Sequence, residues 1–109
     1  GLQGVKNLGA YSISKTADLG LIRSLAVELG PFKINVNGVC PGIIKTDFAR
    51  ALWENPEILK EIEEHAPLKR IGTTDEVAGA VILLASKPGS FITGQVITMD
   101  GGVTIAGRG

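Results

Sequence analysis

The chain is short of nearly every residue that would mark a special architecture. A single cysteine, Cys40, excludes an internal disulfide and suits a reducing compartment, so a cytoplasmic location is expected. One histidine, His65, with one distant cysteine makes no transition-metal ligand set. No metal is expected, and His65 fits charge complementarity late in an acidic helix. Neither sign of charge is in excess: 11 basic residues face 11 acidic ones, and the pI is near 6.8. Nothing electrostatic therefore points to nucleic acid or an anionic membrane. Long apolar runs are also missing. The longest spans Val77 to Ala85, well short of the ~20 residues a membrane-spanning helix needs. No secretory leader or C-terminal address is recognisable. The only methionine is Met99, and the opening Gly1-Leu2-Gln3-Gly4 reads as loop, so a segment of a longer protein is expected. With 44% apolar residues, the chain is nevertheless composed like a globular domain and not like a disordered one.

Among the scarce residues, the one tyrosine stands in an informative place. Tyr11-Ser12-Ile13-Ser14-Lys15 opens a long apolar-periodic segment. In a helix, positions i and i+4 lie on one face about a turn apart. An ammonium beside a phenol favours the phenolate and lowers its pKa, which is how a tyrosine can exchange protons near neutral pH. Taken alone, the pair reads as an amphipathic tyrosine at a helix start followed by a solvated lysine.

The pattern along the chain predicts helix, strand, helical excursion, helix, strand. Helical spacing runs from about Ala10 to Leu29, with Leu19, Ile22, Ala26 and Leu29 on one face and Ala17, Leu21, Ser24, Leu25 and Glu28 on another. Burial on more than one side is expected, and Gly30-Pro31 ends the helix. Lys33 to Cys40 alternates as a strand, and Pro41-Gly42 breaks it. Cys40 reads as a small core residue. Thr46-Asp47 can cap a short helix over Phe48 to Trp53. Asn55-Pro56 opens a second, about Glu57 to His65, with Ile58, Leu59 and Ile62 inward and Glu61, Glu63 and Glu64 on a solvated face. Pro67 to Gly72 is a connector. Thr74-Asp75-Glu76 starts an apolar helix over Val77 to Ser86, which Lys87-Pro88-Gly89-Ser90 ends. Thr93-Gly94 turns into a buried strand, Gln95 to Met99, closed by Asp100-Gly101-Gly102. Strand, crossover helix and strand imply a parallel α/β sheet. Two strands are too few to stand alone, which again points to part of a larger domain.

Four ordered segments then resemble a family. They are Tyr11-Ser-Ile-Ser-Lys15 with Leu25-Ala26-Val27-Glu28-Leu29; Ile34-Asn35-Val36-Asn37-Gly38-Val39 running into Pro41-Gly42-Ile43-Ile44-Lys45-Thr46; Arg70-Ile71-Gly72 with Asp75-Glu76-Val77-Ala78; and Ile92-Thr93-Gly94-Gln95 with Asp100-Gly101-Gly102. Together they make residues 1–109 similar to the C-terminal half of a short-chain dehydrogenase/reductase, with the N-terminal half absent. The resemblance implies the C-terminal part of a doubly wound, Rossmann-like parallel-sheet domain. It implies an oxidoreductase that moves hydride between NAD or NADP and a small-molecule carbonyl or secondary alcohol. Tyr11 would be the general acid/base and Lys15 would lower its pKa and bond the nicotinamide ribose. Pro41, Gly42, Ile44 and Thr46 would meet the nicotinamide end of the cofactor, with Pro41 and Gly42 allowing close approach of backbone to the ring. Thr46 as a plain helix cap stays open. Phe48, Leu52 and Trp53 fall where the family carries a mobile flap, and are expected either to contact substrate or simply to pack. Gln95 and Asp100-Gly101-Gly102 are expected to be structural.

The family's glycine-rich phosphate turn and its catalytic serine and asparagine would lie upstream of Gly1. This segment alone is therefore expected to be inactive. The resemblance also implies a homodimer or homotetramer, since the equivalent helix and last strand build such assemblies in the family. The alternative is a catalytically inactive truncated segment or oligomerisation module.

Overall fold

The computed structural model describes the backbone of residues 9–106 and the side chains of residues 18–106. Four helices and two strands carry the fold of the described residues: α1 (Gly9–Leu29), β1 (Gly38–Pro41), α2 (Arg50–Trp53), α3 (Pro56–His65), α4 (Thr74–Ala85) and β2 (Val96–Met99), with short 3-10 turns at Gly30–Phe32, Lys87–Gly89 and Val103–Ile105. β1 and β2 are neighbours in one two-stranded sheet. The Gly38 N–H donates to the Gln95 carbonyl at 2.9 Å and the Gly42 N–H to the Met99 carbonyl at 2.8 Å. Both chains advance together between these bonds, so the pair is parallel, as the strand–helix–strand order predicts. The chain divides into two compact units: α1 and the residues up to Gly38 with Leu83–Ile97, and Val39–Ile82 with the residues from Thr98 on.

In the first unit, α1 turns Ile22 toward Gly38 and Ala26 toward Gly94. Ala26 is buried, at 6% exposure, and Leu19, Ile22, Leu25 and Leu29 are half-buried. On the other face Leu25 is half-buried, whereas Leu21 is 59% exposed; Val27 is 80% exposed. Gly38 is glycine for a packing reason, since a Cβ there would stand 2.7 Å from Ile22 Cδ1. The helix ends at Gly30-Pro31 as expected, and the chain leaves through Lys33 in the left-handed region at φ 64°.

The first strand starts later than its alternation predicts. Residues 34–37 are extended but carry no regular ladder. One backbone bond, from the Gly94 N–H to the Val36 carbonyl at 2.7 Å, remains, and side chains supply the other pairing. Thr93 Oγ1 accepts from the Val36 N–H at 3.0 Å. The Asn37 amide donates to the Ile92 carbonyl at 2.9 Å and accepts from the Gln95 N–H at 3.1 Å. Asn35 donates to the Ser90 carbonyl at 3.0 Å. Asparagine can imitate a backbone amide in this way, and strand geometry resumes only at Gly38.

In the second unit, local chemistry sets each helix. Asn55 Oδ1 accepts from the Glu57 and Ile58 N–H groups at 3.0 and 3.2 Å, with Pro56 at the first helical position. Leu59 and Ile62 turn inward as expected, whereas Ile58 stays 38% exposed. α3 runs out at Ala66, which is 2% exposed, and the Lys69 ammonium reaches the Glu64 carbonyl at 2.8 Å. α4 begins at Thr74 as expected, on a capping box whose N-cap is Thr73. Thr73 Oγ1 accepts from the Glu76 N–H at 3.3 Å, and the Thr73 N–H donates back to Glu76 Oε1 at 3.0 Å. Arg70 grips the same carboxylate with two bonds of 2.7 Å.

Candidate active site

The residues after β1 form the most chemically equipped loop in the second unit. It is held from both sides. The Gly72 N–H donates to the Ile43 carbonyl at 3.0 Å and the Lys45 N–H to the Gly72 carbonyl at 2.9 Å, a parallel bridge about Ile44. The Thr46 N–H turns back onto the Ile44 carbonyl at 2.8 Å. These bonds use the amides of Lys45 and Thr46. Among the described residues the Ile44 N–H donates to no backbone carbonyl and so is open to a ligand. Thr46 Oγ1 accepts from the Ala49 N–H at 3.2 Å. Thr46 therefore closes the turn that precedes α2 and does not cap the helix itself, which starts at Arg50 on Ala49 with no side-chain cap; its hydroxyl proton is still available to donate.

Beside this loop lies a cavity of about 660 Å³ whose wall is mostly apolar. Pro41, Gly42, Ile44, Thr46, Phe48 and Leu52 all line it. The structure thus brings the four loop residues expected at a cofactor together with two of the three flap residues expected at a substrate. Phe48 is fully exposed and Leu52 is 37% exposed, which leaves both side chains accessible.

Trp53 does something different. Its indole N–H donates to the Thr46 carbonyl at 2.7 Å. Lys45 Nζ stands 4.9 Å above the ring and Arg50 Cζ 5.8 Å. Arg50 is itself tied to Asp47 at 2.6 Å and to Glu54 at 3.6 Å. Trp53 is not among the residues that line the cavity, so it joins α2 to the loop from behind.

Gly42 has a role that the sequence does not disclose. A Cβ at this position would meet Asp100 Cα and Cβ at 2.9 Å. The missing side chain makes room for the end of β2. Asp100 in turn accepts from the Gly102 and Thr104 N–H groups at 2.9 Å and from the Thr104 hydroxyl. Burial pushes its carboxyl up, but these hydrogen bonds outweigh it and hold the pKa below the usual value. Asp100-Gly101-Gly102 is thus a structural turn, with both glycines at positive φ (64° and 93°).

Positions 11 and 15 both fall within α1; the Tyr11 and Lys15 side chains lie outside the described residues. A second cavity of about 480 Å³, lined by Ile62, Leu68, Met99 and the Arg70–Glu76 pair, offers no unsatisfied charge for chemistry. The Arg70 hydrogen bonds, aided by the Thr73 N–H, hold the Glu76 carboxyl down at about 2. His65 Nδ1 pairs with the Glu61 carbonyl at 2.8 Å in the last turn of α3. Among the described residues no group of three or more ligating side chains could hold a metal ion, and no helix is long and apolar enough to cross a membrane.

Two functional contacts escaped the sequence reading. The pairing of Gly72 with the loop had only a glycine in a connector to announce it. The Thr73-x-x-Glu76 box was legible as a capping pattern.

A family model described as enoyl-(acyl carrier protein) reductase matches residues 1–104. Dehydrogenase/reductase SDR family member 2, mitochondrial, from Homo sapiens is 48% identical over 94 residues, 86% of this chain and 34% of that protein. The chain belongs to the short-chain dehydrogenase/reductase family. Its backbone agrees with solved members of the family. The structure of 4-hydroxyisoleucine dehydrogenase complexed with NADH matches with a TM-score of 0.82 and 33% identity, covering 91% of this chain and 40% of that one. A putative 2-deoxy-d-gluconate 3-dehydrogenase from Agrobacterium tumefaciens with bound NADP matches at 0.80 and 34%, covering 93% and 41%. The fold is accordingly the C-terminal part of the doubly wound, Rossmann-like α/β fold of the family. The chain spans about a third of the length of the curated relatives it matches.

Proposed function

We propose that the full-length protein is an NAD(P)-dependent oxidoreductase that interconverts a carbonyl and a secondary alcohol. The observation that carries this reading is the loop after β1. It offers the Ile44 N–H and the Thr46 hydroxyl as donors beside an apolar cavity, at the C-terminal end of a parallel strand, where open α/β sheets bind ligands. That donor set fits a carboxamide, whose oxygen accepts from N–H and O–H groups, and the apolar wall fits a flat ring. The family relatives whose structures hold NADH and NADP support the same assignment.

When bound, the nicotinamide supplies or accepts the hydride. This chain's residues do the rest. Pro41, Gly42, Ile44 and Thr46 orient the cofactor's carboxamide end. Tyr11 gives a proton to the substrate oxygen in reduction and takes it back in oxidation. Lys15, one helical turn away along α1, lowers the phenol's pKa and bonds the ribose. Phe48 and Leu52 cover the substrate and exclude water. The exposed Leu21, Val27 and Phe91 are where we place the remainder of the fold and a second subunit of a homodimer or homotetramer. A reducing compartment such as the cytosol remains our proposed location.

The test is Tyr11→Phe in the full-length protein. Turnover should be lost while dinucleotide binding, read by dihydronicotinamide fluorescence, is retained. Retained turnover would remove Tyr11 from the mechanism.

A further inference from the structure

We propose that Trp53 is a positioning residue for the dinucleotide-facing loop and not a substrate contact; the inference rests on the assignment of residues 41–46 to the cofactor. Three observations carry it. The indole N–H donates to the Thr46 carbonyl at 2.7 Å, across seven residues of chain. The ring is held in place by Lys45 and Arg50 above it, and Arg50 is fixed by Asp47 and Glu54. Trp53 is absent from the lining of the cavity that Phe48, Leu52 and Thr46 share.

The consequence follows from what else holds Thr46. Its carbonyl also accepts from the Ala49 N–H at 3.1 Å, so losing the indole leaves no orphaned carbonyl and costs the fold little. The orientation of the residue is another matter. With the carbonyl pinned by Trp53 and the amide pinned by the Ile44 carbonyl at 2.8 Å, both ends of Thr46 are set and its hydroxyl has a defined origin. Without the indole, only the Ala49 N–H holds Thr46 at the α2 end, and more of the hydroxyl's ordering falls to each binding event. Substrate cover, which belongs to Phe48 and Leu52, is untouched. The flap and the cofactor loop are thereby coupled through the indole bond beside that of the Ala49 N–H, and Leu52 and Trp53 of α2 carry separable duties.

The experiment compares Trp53→Phe, Phe48→Ala and Thr46→Val in the full-length protein. Affinity for NADH and NADPH is measured by dihydronicotinamide fluorescence without turnover, beside the KM for a carbonyl substrate. Trp53→Phe keeps a ring under the cations and removes only the donor. It should weaken dinucleotide binding about three- to tenfold while the substrate KM stays within about twofold. Phe48→Ala should do the reverse. Unchanged dinucleotide affinity in Trp53→Phe, or a rise confined to the substrate KM, overturns the inference. Thr46→Val separates the two layers of the argument. If it leaves dinucleotide affinity unchanged, the loop assignment itself has failed; if it weakens binding and Trp53→Phe does not, only the role of Trp53 has. Should Trp53→Phe not fold, the wild-type indole N–H decides by NMR. Slow solvent exchange and a shift on adding NADH or NADPH are expected, and exchange as fast as that of a solvated indole overturns the proposal.

Discussion

Gly42→Ala separates two reasons for a glycine at the mouth of the site. One is close approach of the backbone to a nicotinamide ring, which the family resemblance implies. The other is the close approach of Asp100, which the structure contains. The added Cβ would lie 2.9 Å from both Asp100 Cα and Asp100 Cβ, inside any real carbon–carbon contact. One of these atoms is backbone, in a turn held by the Asp100 bonds to Gly102 and Thr104, so the strain has no flexible side-chain end to relax into. Overpacking of this kind costs about 1–3 kcal/mol. In a domain of 150–250 residues each kcal/mol lowers Tm by roughly 2–4 °C. Gly72→Ala is the natural comparison. Its Cβ would meet Ile44 Cδ1 at 2.7 Å, the far end of a side chain that can rotate, so its stability loss should be smaller. Both variants are measured in the full-length protein without cofactor, by thermal and urea unfolding, and then titrated with NADH and NADPH. The reasoning predicts that Gly42→Ala is the less stable of the two even with no ligand present. An unchanged Tm together with a large loss of dinucleotide affinity would refute it, and would return Gly42 to the ring-contact role.

Two further outcomes follow from the second unit. The Glu76 carboxyl sits at about 2 against an ordinary 4.5, chiefly through its hydrogen bonds to Arg70. A folded-state pKa below the unfolded one means the stabilisation is fully present above about pH 4.5 and is lost as the pH falls toward 2. Glu76→Gln should therefore flatten the pH dependence of urea stability across that window, and an acid limb identical to wild type would count against the fork and capping box. Asn55→Ala removes the cap that accepts from Glu57 and Ile58 and should cost about 1 kcal/mol; no change in the denaturation midpoint would mean that the Pro56 start suffices for α3.

Local features of the chain made the element order legible. The Asn55-Pro56 start, the Gly30-Pro31 stop and the helical spacing of Leu19, Ile22, Ala26 and Leu29 depend on neighbours within a few residues, so pattern and element coincide. The strand over Lys33 to Cys40 was overextended for an equally physical reason. Alternation describes which way side chains point, but it cannot say that Asn35, Asn37 and Thr93 side chains will supply pairing in place of a regular ladder.

The sequence by itself determined the family, the parallel α/β order and the grouping of Pro41, Gly42, Ile44 and Thr46 on one loop, because each is written in contiguous residues. Only the tertiary structure decided that Gly42 backs onto Asp100 and that Gly72 zips the loop shut. The same holds for Trp53, which turns away from the cavity to hold the Thr46 carbonyl. Those contacts join residues set by where the chain returns in space, and no periodicity encodes the return; what glycine and tryptophan contribute there depends on the atoms that arrive opposite them.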